Sequence, residues 1–355
     1  MNLARSGALC SLIVFALLFV AAASEAQSYP PAWKSASSYA IGDQVQLNGN
    51  VLRATHAVTP GGFKYDEWEL WEVRANTNVM VGVGQTFPKL ETAWPYVKNA
   101  RVAEGAYLHL YLSSVHGVLN DSLSGPFSLD HQSGARVSII GDNASNIVLG
   151  GPSGLRGDGL TIDSGHAFGT ISTISILGNS LFGGGNAIAA TGNSSIANVT
   201  GVVISYFNAG VYAAQGSSIS VDSSVAINYA LAFEIEATSN GNVSVASGWA
   251  GTSGNSATLY ASYGGQISAE DCSISNSGSV GVYANYGGVI DVSSSSISGC
   301  YVGISSYDRG FIYAEFCTFN GNSGYDVSAQ NGGAIEVDNN ALNAHIDSGA
   351  GSNIY

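Results

Sequence analysis

Ser279-Val-Gly-Val-Tyr-Ala-Asn-Tyr-Gly-Gly-Val-Ile-Asp-Val292 is the stretch that decides the fold of this chain. Val282 and Ala284 alternate with Tyr283 and Asn285, and Ile290 and Val292 flank Asp291, so each run has one apolar face and one polar face. That is the pattern of half-buried strands. Gly287-Gly288 sits between the runs, where a bend calls for a left-handed residue that glycine supplies without strain. Working outward, the same unit recurs on both sides. A first apolar column runs through Ile188, Val211, Ile235, Leu259, Val282, Ile304 and Val327, at spacings of 23, 24, 24, 23, 22 and 23 residues. A second follows eight positions later at Ile196, Ile219, Val243, Ile267, Ile290, Ile312 and Ile335. Ile274, Ile297 and Phe319 make a third column. A fixed period of this length built from short alternating runs is a solenoid. Neither a Gly-x-y period nor a Gly-Gly-x-Gly-x-Asp motif is present, which excludes collagen and calcium-binding nonapeptide repeats. Parallel strands joined by short crossovers wind right-handed. The expected fold is therefore all-β: a right-handed, single-stranded parallel β-helix of about eight coils of 22–24 residues, behind a helical cap and a small β module.

Composition and the chain ends narrow the function. Residues 1–26 read as a signal peptide, with Arg5 as the positive region, an apolar run from Leu12 to Ala23, and Ser24-Glu25-Ala26 as the cleavage site. The run is too short to span a bilayer, so no membrane span is expected and the protein reads as secreted. Export leaves Cys272, Cys300 and Cys317. On the ladder, Cys272 and Cys317 share an inward column with Ser295 between them. Two coils are about 9–10 Å apart, too far for a disulfide, so the cysteines read as small buried fillers. Removing Arg5 and Glu25 reduces the 11 Lys+Arg to 10 and the 25 Asp+Glu to 24, leaving the net charge at −14. Nucleic acid needs a basic footprint and is excluded as a partner. Unaided binding of polyanionic glycans is disfavoured too, whereas neutral polysaccharides, or anionic ones bridged by a divalent cation, fit.

Three segments come after the leader. Residues 30–74 hold Trp33, Trp68 and Trp71 and read as short strands, Gln44 to Leu47 and Val51 to Ala54 about an Asn48-Gly49 hairpin turn. The spacing of Ala32-Trp33, Ser38-Tyr39, Gly42-Asp43-x-Val45, Asn48-Gly49-x-Val51, Arg53-Ala54 and Trp68-Glu69-Leu70 resembles the small chitin-binding modules of chitinases and phage tail fibres. In that family an aromatic and then a Trp pair come after the turn, and Leu52 and Thr55-His56 stand there instead. The resemblance supports the fold of the module more than its affinity: it implies sugar contact through Trp33, Tyr39 and Trp68, and the alternative is that these and Trp71 are core of so small a domain. Residues 76–135 form a lead-in whose Leu90, Ala93, Trp94 and Val97 lie at helical spacing, with Phe87 and Pro88 expected to open the helix. An amphipathic helix there would cover the hydrophobic end of an open stack. Residues 136–355 are the solenoid. The entry Asn76 to Phe87, the helix and Val137-Ser-Ile-Ile-Gly-Asp142 resemble pectate-lyase-like β-helices and phage tailspikes, a likeness of fold across lyases, hydrolases, esterases and plain binders.

Chemistry is placed by carrying the register outward. After the first column come Tyr212, Glu236, Tyr260, Tyr283, Ser305 and Ser328, with Tyr263, Tyr286 and Tyr307 near the bends. Tyrosines stepped along a solenoid suit stacking on successive sugar rings, and Tyr212, Tyr260, Tyr283 and Tyr307 are the candidate glycan contacts; tyrosine also simply suits strands. On the second strand, Glu270, Asp291 and Glu315 fall on consecutive coils of one face. Such carboxylates could form an acid and base for glycoside hydrolysis, collect Ca²⁺, or make a solvated acidic face. No other cofactor or metal is expected. The polygalacturonase patterns are missing except for Gly165-His166. Arg309, beside Asp308, is the only Lys or Arg after Arg156 and so the only candidate for a lyase base. Each histidine reads as a surface or turn residue. The sequence thus points to a carbohydrate-binding protein for an extracellular, neutral polysaccharide, with catalysis disfavoured. A polysaccharide hydrolase or lyase is the alternative, and an adhesive, tailspike-like scaffold without a glycan site is another. No assembly segment is visible, so a monomer is expected.

Overall fold

The computed structural model describes residues 30–123, 125–151, 153–180, 184–252, 255–275, 279–338, 345–349 and 351–355. The expected signal peptide lies outside these residues.

The N-terminal module is a hairpin, Gln44–Leu47 paired antiparallel with Asn50–Ala54, extended by Trp68–Val73. Asn48 (φ 52°) and Gly49 (φ 83°) both take left-handed backbone at the turn, the geometry that matches strand twist in a two-residue hairpin loop. Arg101–Val102 joins the far edge in parallel and ties the module to the base of the solenoid.

One α-helix is present among the described residues, Leu90–Val97, and it buries Leu90, Ala93 and Val97 over the first coil. It begins two residues after Pro88 rather than at Phe87-Pro88. Phe87 is held in extended backbone instead, donating its N–H to the Met80 carbonyl (3.3 Å) and accepting the Gly82 N–H (2.8 Å). The Asp121 carboxylate, some thirty residues downstream, accepts the Leu90 N–H at 2.6 Å. It satisfies one of the donors that a helix start leaves open.

The solenoid has three sides. The first-strand sheet has ten strands, from Phe127–Ser128 to His345–Ser348, and the second-strand sheet has twelve, from Thr77–Val81 to Asn353–Ile354. The third side is split between five strands, Leu119–Asp121 to Ala226–Asn228, and four, Ala250–Gly251 to Thr318–Asn320. Trp249 lies at the split, fully buried, with its Nε1–H on the Val225 carbonyl (3.1 Å). The described strand pairs within the solenoid are parallel. Both apolar columns hold in register, Ile188 on Val211 through to Val327 and Ile196 on Ile219 through to Ile335. None of their fourteen residues is more than 2% exposed. At roughly 1.5–3 kcal/mol for each fully buried aliphatic side chain, this continuous stack dominates the fold's stability.

The ladder makes about nine turns and starts at Thr77–Val81, within the segment read as a lead-in. The earlier coils are longer: 29 residues from Leu108 to Val137, 32 from Ile139 to Ile171 and 28 from Phe168 to Ile196. A repeat length of 22–24 residues passes over them.

The glycine pairs at the Gly264-Gly265, Gly287-Gly288 and Gly332-Gly333 bends do two jobs. Gly287 takes φ +75° with open space around its missing Cβ, and Tyr286 before it is also left-handed at φ 45°. Gly288 has ordinary backbone, but a Cβ there would lie 2.2 Å from the Ala261 carbonyl oxygen of the preceding coil. The second glycine is therefore required by the close approach of coils. Cys272, Cys300 and Cys317 are buried thiols, and the Cys272 N–H donates to Ser295 Oγ (3.0 Å) in the shared column.

Candidate functional site

The first-strand sheet presents one outward column in unbroken register: Tyr212, Glu236, Tyr260, Tyr283, Ser305 and Ser328. Glu234 and Ile235 are both buried, so the strand bends there and leaves Phe233 outward, stacked on Tyr260 (4.3 Å between centroids, 11° between planes). Tyr260 meets Tyr283 at 5.5 Å, tilted by 38°. At the bend alongside, Tyr263 and Tyr286 stack at 4.9 Å, and both are left-handed, an uncommon state for a bulky residue.

The rings therefore stack on one another at the coil spacing. Their faces cover each other, and what the column offers outward is a row of ring edges and hydroxyl groups. Beyond Tyr283 the column steps down to Ser305, which leaves a low shelf beside Tyr307 and Asp308, and Ser328 on the next coil is buried. Asp308 is hydrogen-bonded to Asn331 on the next coil.

Glu236 stands between Tyr212 and Tyr260 in this column, and burial pushes its carboxyl up to about 7. Sequence reading placed Glu236 in the column but assigned it no role, because a raised pKa follows from burial beside tyrosines on neighbouring coils, which no local motif encodes. Tyr212 is raised by burial and by the charges of Glu236 and Asp158. Burial, together with Tyr260, Tyr307, Tyr286 and Asp308, pushes Tyr283 to about 12. A neutral carboxyl group among neutral phenols can both donate and accept hydrogen bonds, as a hydroxyl-rich ligand requires.

The acidic face is also in the expected register. Asp291 pairs with Ser268 and Tyr313, and the Ser294 N–H on the Glu315 carbonyl and the Asp271 N–H on the Ser293 carbonyl align Glu270, Ser293 and Glu315. Glu270 is exposed and Glu315 half-buried. Asp291 accepts the N–H (3.0 Å) and hydroxyl (2.8 Å) of Ser293 two residues on. Among the described residues, the grouping whose ligand atoms all lie within 4.8 Å of one another is instead Asp130, Asp163 and His166. Arg309 is exposed at a bend, left-handed at φ 65°.

His131 corrects the expectation that every histidine lies at the surface or in a turn. It is 2% exposed, with Nε2 on the Val97 carbonyl (3.1 Å) and Nδ1 accepting the Ser133 N–H (3.0 Å). Two backbone partners make a neutral imidazole a good core linker, and burial lowers its pKa.

In the N-terminal module Trp33 packs edge-on to Phe63 (5.6 Å) and Tyr39 edge-on to Trp68 (5.2 Å). Trp68 is 2% exposed, which makes it core rather than an open platform. Trp71 carries the Arg53 guanidinium 3.7 Å above its ring, and Arg53 is ion-paired with Glu69.

No helix among the described residues is long and apolar enough to cross a membrane. Residues 186–342 match the family model described as a right handed beta helix region. No curated protein and no solved structure matches the chain. With its parallel three-sided ladder, in register from coil to coil, and this match over the most regular coils, the chain is a right-handed parallel β-helix protein.

Proposed function

We propose that this is an exported protein that binds a neutral polysaccharide along the first-strand face of its β-helix. The observation that carries the reading is the column Tyr212–Glu236–Tyr260–Tyr283, in register over four coils, with the Glu236 carboxyl pushed up to about 7 by burial. Phenol hydroxyls and a neutral carboxyl spaced along a straight face suit a linear polymer of repeating hydroxyl groups. The shelf at Ser305 gives one sugar ring access to the outer side of Tyr283. A net charge of −14, with Arg309 the only Lys or Arg after Arg156, favours neutral over anionic chains.

The test is a pull-down panel on insoluble and soluble polysaccharides, neutral and acidic, with reducing-end and unsaturated-product assays on the same samples. Binding to neutral chains that falls at least about tenfold in Tyr260→Ala and Tyr283→Ala, without product release, supports the reading. No binding to any glycan rejects it and favours the adhesive scaffold. One observation favours a degradative role instead: a carboxyl group near 7 is suited to act as a general acid. Product release lost in Glu236→Gln, or in Glu270→Gln or Asp291→Asn on the acidic face, would make the protein an enzyme.

A further inference from the structure

The junction between the N-terminal module and the helix cap holds a cleft that is separate from the first-strand face. It consists of two cavities of about 340 and 610 Å³ that share Tyr65, Thr86, Phe87 and Tyr96. The three rings form a box corner, with Tyr65 5.5 Å from Phe87 and 5.6 Å from Tyr96, at 66° and 76°. Tyr65 stays 42% exposed at the mouth.

Both sides of this corner carry hydrogen-bond donors. On one side lie Asn76 and Asn78, whose Oδ1 atoms are occupied by the Tyr107 N–H (3.1 Å) and His109 Nδ1 (3.1 Å). Those bonds orient the amides and leave their NH₂ groups for an outside acceptor. On the other side lies Trp68, whose Nε1–H is buried without a hydrogen-bond partner. Buried donors are almost always satisfied, so an orphan at a cleft marks a place where a ligand or ordered water would sit. The Tyr96 hydroxyl lines both cavities, and its pKa is raised well above the ordinary phenol value by burial and by Tyr65. No Lys or Arg lines either side, and of the two acids present, Glu69 is already held by Arg53 and by Asn99 Nδ2 (3.1 Å).

We infer that this cleft is a second binding site, taking one or two units of a neutral, hydroxyl-rich sugar. Aromatic faces at an angle receive the apolar face of a pyranose ring, and oriented amide, indole and phenol donors receive its hydroxyl oxygens. With no Lys or Arg in the lining, and with Asp66 and Glu69 in it, the cleft favours a neutral ligand over a phosphorylated or uronic one. The inference does not depend on the first-strand face binding anything.

Isothermal titration with cellotriose and with chitotriose tests it, on the full chain and on Tyr283→Ala, alone and with Tyr65→Ala or Thr86→Trp added, each checked by thermal melting. Thr86 is exposed and lines both cavities, so a tryptophan there fills the cleft without entering the core. In the Tyr283→Ala background, which removes the first-strand face, binding of either trisaccharide should remain measurable, weaken by about tenfold or more on adding Tyr65→Ala and vanish on adding Thr86→Trp. If Tyr65→Ala lowers the melting temperature, Thr86→Trp carries the test alone. Failure of both trisaccharides to bind, or binding indifferent to Thr86→Trp, overturns the inference. So does tighter binding of tetramethylammonium than of either sugar, which would make the ring corner a cation cage.

Discussion

Glu236→Gln should make the protein more stable at alkaline pH and leave it nearly unchanged at acidic pH. The folded carboxyl sits at about 7 against an ordinary value of 4.5. Below about 4.5 both folded and unfolded chains are protonated at this position and the fold bears no penalty. Between 4.5 and 7 the unfolded chain releases its proton while the folded chain retains it, so stability falls as pH rises. Above 7 the loss is complete. A gap of roughly 2.5 pH units at about 1.36 kcal/mol each sets a ceiling of about 3.4 kcal/mol. Glu236 is only partly buried, and water screening brings that down to roughly 1–2 kcal/mol. Gln has the same shape and no charge to desolvate. Melts of wild type and Glu236→Gln, recorded by circular dichroism at pH 4 and pH 9, should therefore coincide at the lower pH. They should separate by roughly 1.5–3 °C at the higher, with the variant more stable. Equal pH dependence in the two proteins would mean that Glu236 ionises as an exposed acid does, and the protonated column would be refuted.

Other outcomes rest on the packing. Gly288→Ala should cost roughly 2–4 kcal/mol, since its Cβ would meet the Ala261 carbonyl at 2.2 Å. Gly287→Ala, with open space but φ +75°, should cost only about 1 kcal/mol; chemical denaturation of both variants separates close approach from backbone strain. Asp121→Ala removes the Leu90 cap and should destabilise by roughly 1–2 kcal/mol, lost first as helix-end protection in hydrogen exchange. His131 is neutral in the fold and its pKa is lowered, so its contribution is present above about 6.5 and lost as pH falls; His131→Phe should flatten the acid limb of the pH–stability curve. Cys272 and Cys317, with thiols pushed to about 11 by burial, should resist thiol reagents until the chain unfolds.

Much of the fold was legible because a solenoid writes its tertiary contacts into local sequence. Ile267, Ile290 and Ile312 are neighbours in space only because they occupy the same place in successive repeats, so the spacing itself states the contact. The Asn48-Gly49 hairpin and the apolar stripe Leu90, Ala93 and Val97 were legible for the same reason, since their signals span a single turn. The coils between Leu108 and Ile196 were not, because insertions lengthen them and erase the period.

The candidate sites divide along the same line. That Tyr212, Glu236, Tyr260 and Tyr283 share a column follows from strand alternation and the repeat length, both local properties of the chain. How those rings stand depends on contacts between coils: Phe233 turns outward only because Glu234 and Ile235 both go in, and the rings then stack face to face. The protonated state of Glu236 depends in turn on the burial this packing creates. The cleft at Tyr65, Phe87 and Tyr96 lies further from the sequence still. It joins a short 3₁₀ turn, an extended residue and a helix from two packed units. Alternation and spacing fix which residues face outward; only packing between distant segments sets how close they come, how much water they keep and what charge they carry.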